Sequence, residues 1–205
     1  DDCDVAILFI ETSGCLYMCG HGTIGTVTMA IENGLMTPKT PGVVNLDVPA
    51  GKVVAEYTMD GEYVDKVRLT NVPSFLHSTD LEIDAPGLGK LKVDVAYGGM
   101  IYVLVDAASV GFAVQPKEAK HMVELGERIK AAAAEQLPAV HPENPRIHTI
   151  NQTLFAGPVV QTARGKESRN GVIVSPGRLD RSPCGTGTCA RLAVLHAKGQ
   201  IGVGE

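Results

Sequence analysis

Residues 4–10 (DVAILFI) make a nearly uninterrupted apolar run of strand length, which predicts a buried strand. A polar loop follows. The segment CGHGTIGTVTMAIENG (19–34) then predicts a helix over 23–33, closed by Gly34. Residues 43–70 alternate in period two, with breaks at Pro49-Ala50-Gly51 and Asp60-Gly61, the pattern of a strand meander with tight turns. Further strands are expected over 79–84 and 90–96. Gly98-Gly99 interrupts, and MIYVLVDA (100–107) predicts another strand. Residues 116–136, rich in Ala, Glu, Lys and Leu, predict a helix, with Pro116 in the first turn where its missing N–H costs nothing. HPENP (141–145) reads as a loop, 147–155 and 171–175 as strands, and 185–198 as a last helix stopped by Gly199. Many short strands with few helices predict an α+β fold rather than a doubly wound sheet.

A chain of 205 residues has room for one large domain or two small ones. Its 44% hydrophobic and 20% charged content is that of a soluble globular protein. The net charge of -5, with no Lys/Arg cluster, argues against a nucleic-acid partner. No apolar run has the length of a membrane span, so no membrane partner is expected, and no signal peptide is visible. The chain begins at Asp1 without a Met and enters a strand almost at once, so a longer natural chain is expected. Cys3, Cys15, Cys19, Cys184 and Cys189 are odd in number and form no CxxC pair. That argues against a disulfide framework or a zinc site and for reduced thiols in a cytoplasmic protein.

The chemistry is concentrated in an internal echo. Set over CGTGTCARLAVLHAKG (184–199) without gaps, the segment 19–34 puts Cys19 on Cys184, Gly20 on Gly185, Gly22 on Gly187, Thr23 on Thr188 and Gly34 on Gly199. The match predicts two equivalent halves, each offering a cysteine at a helix N-terminus. Unpaired N–H groups and the positive end of the helix dipole stabilise a thiolate there and lower its pKa. The adjacent glycines let a carboxylate approach the backbone. One thiolate and one thiol on opposite faces of an α-carbon can invert it without a cofactor or a metal.

The plainer alternative, two buried core cysteines, does not account for matched Gly-rich contexts. GHGTIG (20–25) also fits the dinucleotide pattern GxGxxG, but about nine residues separate it from the preceding strand and antiparallel hairpins follow, so no nucleotide site is expected. Asp180 either receives a substrate ammonium or forms a turn, possibilities that spacing leaves open. His21 is expected to contribute its backbone N–H. His148 and His196 read as satisfied structural residues, Cys189 as helix packing, and Cys15 as a loop residue without a metal partner.

MCGHGTIG (18–25) with DRSPCGTGT (180–188) resembles the proline racemase family, and DVPAGKV (47–53), NVPSF (71–75), VDVAYGG (93–99) and HPENP (141–145) agree. The resemblance covers essentially the whole chain. It implies two pseudo-symmetric α/β lobes, each a curved sheet around a central helix as in diaminopimelate epimerase. Residues 1–76 would be part of the first lobe, carrying Cys19, and 77–205 part of the second, carrying Cys184. Family members are longer, so this chain corresponds to a middle portion.

The resemblance implies that Cys19 accepts and Cys184 donates a proton, and that the backbones of Gly20, His21, Gly185 and Thr186 hold the substrate carboxylate. It also implies that Asp180 binds the ring nitrogen. Dehydratases of the family commonly carry Thr at the second cysteine, so Cys184 points to racemisation or epimerisation. Val174 stands where protozoan proline racemases have an aromatic residue, and Asn151 where that racemase has Cys. Space with a polar group favours 4-hydroxyproline over proline, although hydroxyproline epimerases carry His at the Asn151 position. The implied partner is a small-molecule substrate, proline or a hydroxyproline, and a homodimer is compatible with the family.

Overall fold

In the computed structural model, which describes residues 2–205, the chain divides into two units, Asp1–Pro73 and Ser74–Glu205. The architecture is α+β, with sheets and few helices, as the run of short strands predicts.

The first unit holds β1 (Val5–Ala6), β2 (Phe9–Glu11), β3 (Gly14–Leu16), α1 (Gly20–Glu32), β4 (Val43–Val48), β5 (Gly51–Asp60) and β6 (Tyr63–Thr70). Its main sheet runs β1-β4-β5-β6, with β4, β5 and β6 antiparallel and joined at the two turns expected from Pro49-Ala50-Gly51 and Asp60-Gly61. Helix α1 buries Thr23, Val27 and Ala30, one stripe at helical spacing, and packs against β6.

Three expectations fail here. The apolar run 4–10 is not one buried strand. β1 pairs in parallel with β4, while β2 turns back on β3 as a hairpin. Asp4 anchors the entry by accepting from the N–H groups of Lys39 (2.9 Å) and Asn45 (2.7 Å). The hairpin buries Phe9 on one face, and its neighbours Leu8 and Ile10 are 70% and 76% exposed. Cys15, expected in a loop, lies in β3. The parallel β1–β4 pair, with α1 between its strands in sequence, also departs from a purely antiparallel reading.

The second unit begins with β7 (Phe75–Ala85), β8 (Gly89–Tyr97) and β9 (Ile101–Asp106). A 3-10 turn over Ala107–Val110 follows, and a second, Pro116–Glu118, leads into α2 (Ala119–Gln136). Then come β10 (Gln152–Ala156), β11 (Val160–Thr162), β12 (Gly165–Glu167), β13 (Asn170–Val174), β14 (Arg178–Leu179) and α3 (Gly185–Ala197). Six strands form one sheet in the order β14-β13-β10-β9-β8-β7, and only β9 and β10 run parallel, across the α2 crossover. Residues 147–151 form a loop, joined to Val140 by a bridge at His148, and the strand starts at Gln152. The β11–β12 hairpin has no counterpart in the sequence reading.

The two helices cover opposite faces of this sheet. Thr153 Oγ1 donates to Gly126 O of α2 at 2.8 Å, and Ile173, opposite Thr153, lies where a Cβ on Gly126 would clash. The next residues along these strands, Leu154 and Val172, lie against Gly187 of α3. Successive strand residues face opposite ways, so α2 and α3 sandwich the sheet and β9 is buried at five successive positions. Among the described residues no helix is long and apolar enough to cross a membrane.

Candidate active site

Each unit places its cysteine at the N-cap of a 13-residue helix, Cys19 before α1 and Cys184 before α3. The first helical bonds are Thr23 N–H to Cys19 O (2.9 Å) and Thr188 N–H to Cys184 O (2.8 Å). The three preceding N–H groups of each helix therefore have no intrahelical partner, the arrangement that receives an anion. Both helices end in the same Schellman geometry. Gly34 (φ 62°) donates to Ile31 O and Leu35 to Ala30 O, and Gly199 (φ 66°) donates to His196 O and Gln200 to Leu195 O. The glycine fifteen residues after each cysteine is thus a left-handed helix stop.

The glycine three residues after each cysteine has a different purpose. A Cβ on Gly22 would stand 3.2 Å from Cys19 Sγ and 3.2 Å from the Phe9 ring. A Cβ on Gly187 would stand 3.1 Å from Cys184 Sγ and 3.0 Å from Val172 Cγ2. Hydrogen at these positions lets the sulfur fold back over its own helix start.

The caps differ in backbone. Cys19 is extended (φ -139°, ψ 110°), as N-cap residues commonly are. Cys184 is left-handed (φ 49°, ψ 81°), a conformation that costs a residue with a Cβ and recurs at functional sites. The turn before it is tightly held. Ser182 N–H donates to Asp180 Oδ1 (2.8 Å), Cys184 N–H donates to Ser182 Oγ (3.0 Å), and Asp180 N–H donates to Val172 O of β13 (2.9 Å). Asp180 thus forms the turn that sets Cys184, the structural alternative left open by its spacing. A substrate-contacting role for it rests on the family resemblance. The matched threonines close their turns differently, Thr23 Oγ1 onto Cys19 O (2.8 Å) and Thr188 Oγ1 onto Pro183 O (2.7 Å).

Burial reverses one electrostatic expectation. The Cys184 side chain is buried, and loss of water pushes its thiol from 9.0 up to about 11. The Tyr102 hydroxyl, the nearby Gly187 N–H and the Thr186 hydroxyl pull the other way and do not overcome it, and the Asp180 charge adds to the rise. Cys184 is a thiol at neutral pH. Cys184 borders a pocket of about 250 Å³ that Ser168, Asn170, Val172, Ser182 and Thr188 also line.

His21 is exposed on the first turn of α1, and Gly185 on that of α3. Thr186 is buried, its hydroxyl 2.6 Å from Tyr102 Oη. Asn151 is turned to its own sheet, where Oδ1 accepts from Ile101 N–H at 3.2 Å. Val174 ends β13, paired with Arg178 of β14, and neither Asn151 nor Val174 lines the Cys184 pocket. His148 and His196 are exposed rather than packed, and half-buried Cys189 lies in α3 beside Gly98. None of the five cysteines is in a disulfide.

Sequence reasoning missed Tyr102, Gly98 and Arg191. A Cβ on Gly98 would lie 2.1 Å from Thr186 O and 2.6 Å from Ala190 N, so the β8–β9 turn meets the α3 backbone directly. Buried Arg191 of α3 donates to Arg169 O (2.7 Å), Ser168 Oγ (2.6 Å), Asn170 Oδ1 and Gly157 O, tying the β11–β12 segment to the helix. Lys198 closes the far end of α3 on Asp94 at 2.8 Å. The signals available were a Tyr within an apolar strand, a Gly-Gly break and an Arg on a helix of small residues.

The family model for proline racemase matches residues 1–205. The chain is 50% identical over 204 residues to the 4-hydroxyproline epimerase of Brucella ovis, covering 100% of this chain and 61% of that protein. It is 51% identical over 200 residues to the 4-hydroxyproline epimerase of Brucella abortus, covering 98% of this chain and 60% of that one. Among solved structures it is similar to a probable proline racemase from Agrobacterium radiobacter K84 with bound carbonate, at TM-score 0.89 and 38% identity, over 100% of this chain and 59% of that one. It is also similar to a hydroxyproline epimerase from Agrobacterium vitis with bound trans-4-hydroxy-L-proline, at TM-score 0.86 and 34% identity, over 98% and 57%. The chain spans about 60% of the length of the curated relatives it matches.

Proposed function

The chain belongs to the proline racemase family, and on that premise we propose that it carries the acid and base of a cofactor-independent 4-hydroxyproline 2-epimerase. Cys19, as thiolate, removes the α-proton and becomes a thiol. Cys184, as thiol, delivers a proton to the opposite face of the carbanion and becomes a thiolate. The centre is inverted with no net change in protons, and the reverse reaction exchanges the roles. The unpaired N–H groups of Gly20 and His21 and of Gly185 and Thr186 receive the carboxylate, and Asp180 receives the ring nitrogen.

The observation that carries this reading is the repeated cap: a cysteine before a 13-residue helix in each unit, with a glycine three residues on that leaves space for the sulfur. The thiol state of Cys184 at neutral pH suits a proton donor. The ring hydroxyl of the substrate is supported by the curated relatives, which are named 4-hydroxyproline epimerases. The reading extends to a homodimer, which light scattering of the purified protein tests, and to a cytoplasmic location, which cell fractionation tests.

The deciding experiment is epimerisation of trans-4-hydroxy-L-proline in heavy water. The α-carbon gains deuterium in the wild type, and Cys19→Ser and Cys184→Ser each lose inversion. Inversion that survives in both variants overturns the mechanism. Faster turnover of L-proline than of hydroxyproline reassigns the substrate, and a cyclic imine from 3-hydroxyproline reassigns the reaction to water elimination.

A further inference from the structure

Tyr102 stands in β9, a strand otherwise apolar until its terminal Asp106. Its ring is fully buried, and a buried phenol needs a partner for its hydroxyl. Two groups of the α3 cap supply one. Thr186 Oγ1 is 2.6 Å from Tyr102 Oη, and Cys184 Sγ is 3.6 Å away. Thr186 and Cys184 side chains lie 4.0 Å apart, so one phenol touches both. A Phe would pack the same ring. The hydroxyl adds only these polar contacts, and one of them is to the sulfur that must change charge.

We propose that Tyr102 is a positioning residue for Cys184: its hydroxyl, held by Thr186, donates to the sulfur when Cys184 has released its proton. The proposal rests on the reading of Cys184 as the proton donor. Burial removes water from the thiolate that donation leaves behind, and a buried charge is costly without a donor aimed at it. Tyr102 Oη stands closer to this sulfur, at 3.6 Å, than Thr186 Oγ1 does, at 4.0 Å. The same contact lowers the Cys184 pKa against the effect of burial. Tyr102 stays protonated while doing so, because burial raises its own pKa well above 10.0.

The test reads the thiolate directly and does not need turnover. Alkylation of Cys184 by iodoacetamide is followed by peptide mass spectrometry from pH 7 to 10 in the wild-type chain, in Tyr102→Phe and in the chain with 3,5-difluorotyrosine at 102. Tyr102→Phe should slow Cys184 alkylation about tenfold at each pH, the effect of a one-unit rise in pKa. Difluorotyrosine, a stronger donor while burial keeps its own hydroxyl protonated, should speed it at pH 7, the end of the range where that phenol is least ionised. Loss of the hydroxyl opens space beside the sulfur, so a pure access effect has the opposite sign. Unchanged or faster alkylation in folded Tyr102→Phe overturns the proposal. If that variant does not fold, an unchanged rate with difluorotyrosine overturns it, and a faster rate supports it. Absence of α-proton exchange in the wild type would refute the epimerase reading while leaving the alkylation result to decide the contact.

Discussion

Cys184 Sγ lies 3.1 Å from the place where Gly187 would carry a Cβ, and Cys19 Sγ stands in the same relation to Gly22 at 3.2 Å. Gly187→Ala should therefore push the sulfur or Val172 aside. The expected cost is about 1–3 kcal/mol of stability, and under the proposed epimerase reading the displaced thiol also reduces α-proton exchange about a hundredfold. Gly185, two residues earlier, has nothing within 4 Å of its Cβ position, so Gly185→Ala should leave stability nearly unchanged. Chemical denaturation of both variants checks the contrast. Equal stabilities would refute the packing argument.

Gly98 makes a harsher demand. Its Cβ would meet Thr186 O at 2.1 Å and Ala190 N at 2.6 Å, both backbone atoms of α3. Gly98→Ala should destabilise the second unit by more than about 3 kcal/mol, because a helix rather than a side chain must move. Gly25, on α1, has open space around its Cβ position. Gly25→Ala should stabilise by about 0.5–1 kcal/mol through helix propensity. Thermal unfolding of the two variants should shift in opposite directions.

The raised Cys184 pKa sets an alkaline limit. The unfolded chain releases this proton near 9.0, while the folded chain holds it to about 11. Between those values the folded state binds more protons, so stability falls as pH rises. The contribution is fully present below the unfolded pKa and declines by on the order of 3 kcal/mol by the upper end. Urea unfolding from pH 8 to 11 should show a shallower loss in Cys184→Ser than in the wild type. Parallel slopes would mean that Cys184 does not titrate differently on folding.

Arg191 donates to three acceptors between β10 and β13 and to Asn170, the first residue of β13. Arg191→Met should cost about 3 kcal/mol by leaving them without their donor, and should speed hydrogen exchange over 157–170. Arg191→Lys should not restore protection, since an ammonium lacks the planar fork. Wild-type exchange rates in Arg191→Met would remove the anchoring role.

Much of the site was legible because its signals are local. A cysteine, two glycines and a threonine at fixed spacing define a helix entry, and Gly34 and Gly199 define the stops, since only nearby backbone atoms take part. The turns at 49–51 and 60–61 were legible for the same reason. The apolar run 4–10 misled because hydrophobicity does not say which strand will pair with it, and β1 and β2 found different partners.

The sequence by itself determined where the two cysteine caps lie, which family they belong to and that each opens a helix. Tertiary structure decided the chemical state of one of them, Cys184. Tyr102 and Cys184 are 82 positions apart and meet only because β9 runs beneath the start of α3. The helix end favours a thiolate at Cys184, and burial, a property of the whole unit, outweighs it and leaves a thiol. Local pattern specifies backbone geometry, whereas desolvation and long-range partners depend on what the rest of the chain brings to the same place.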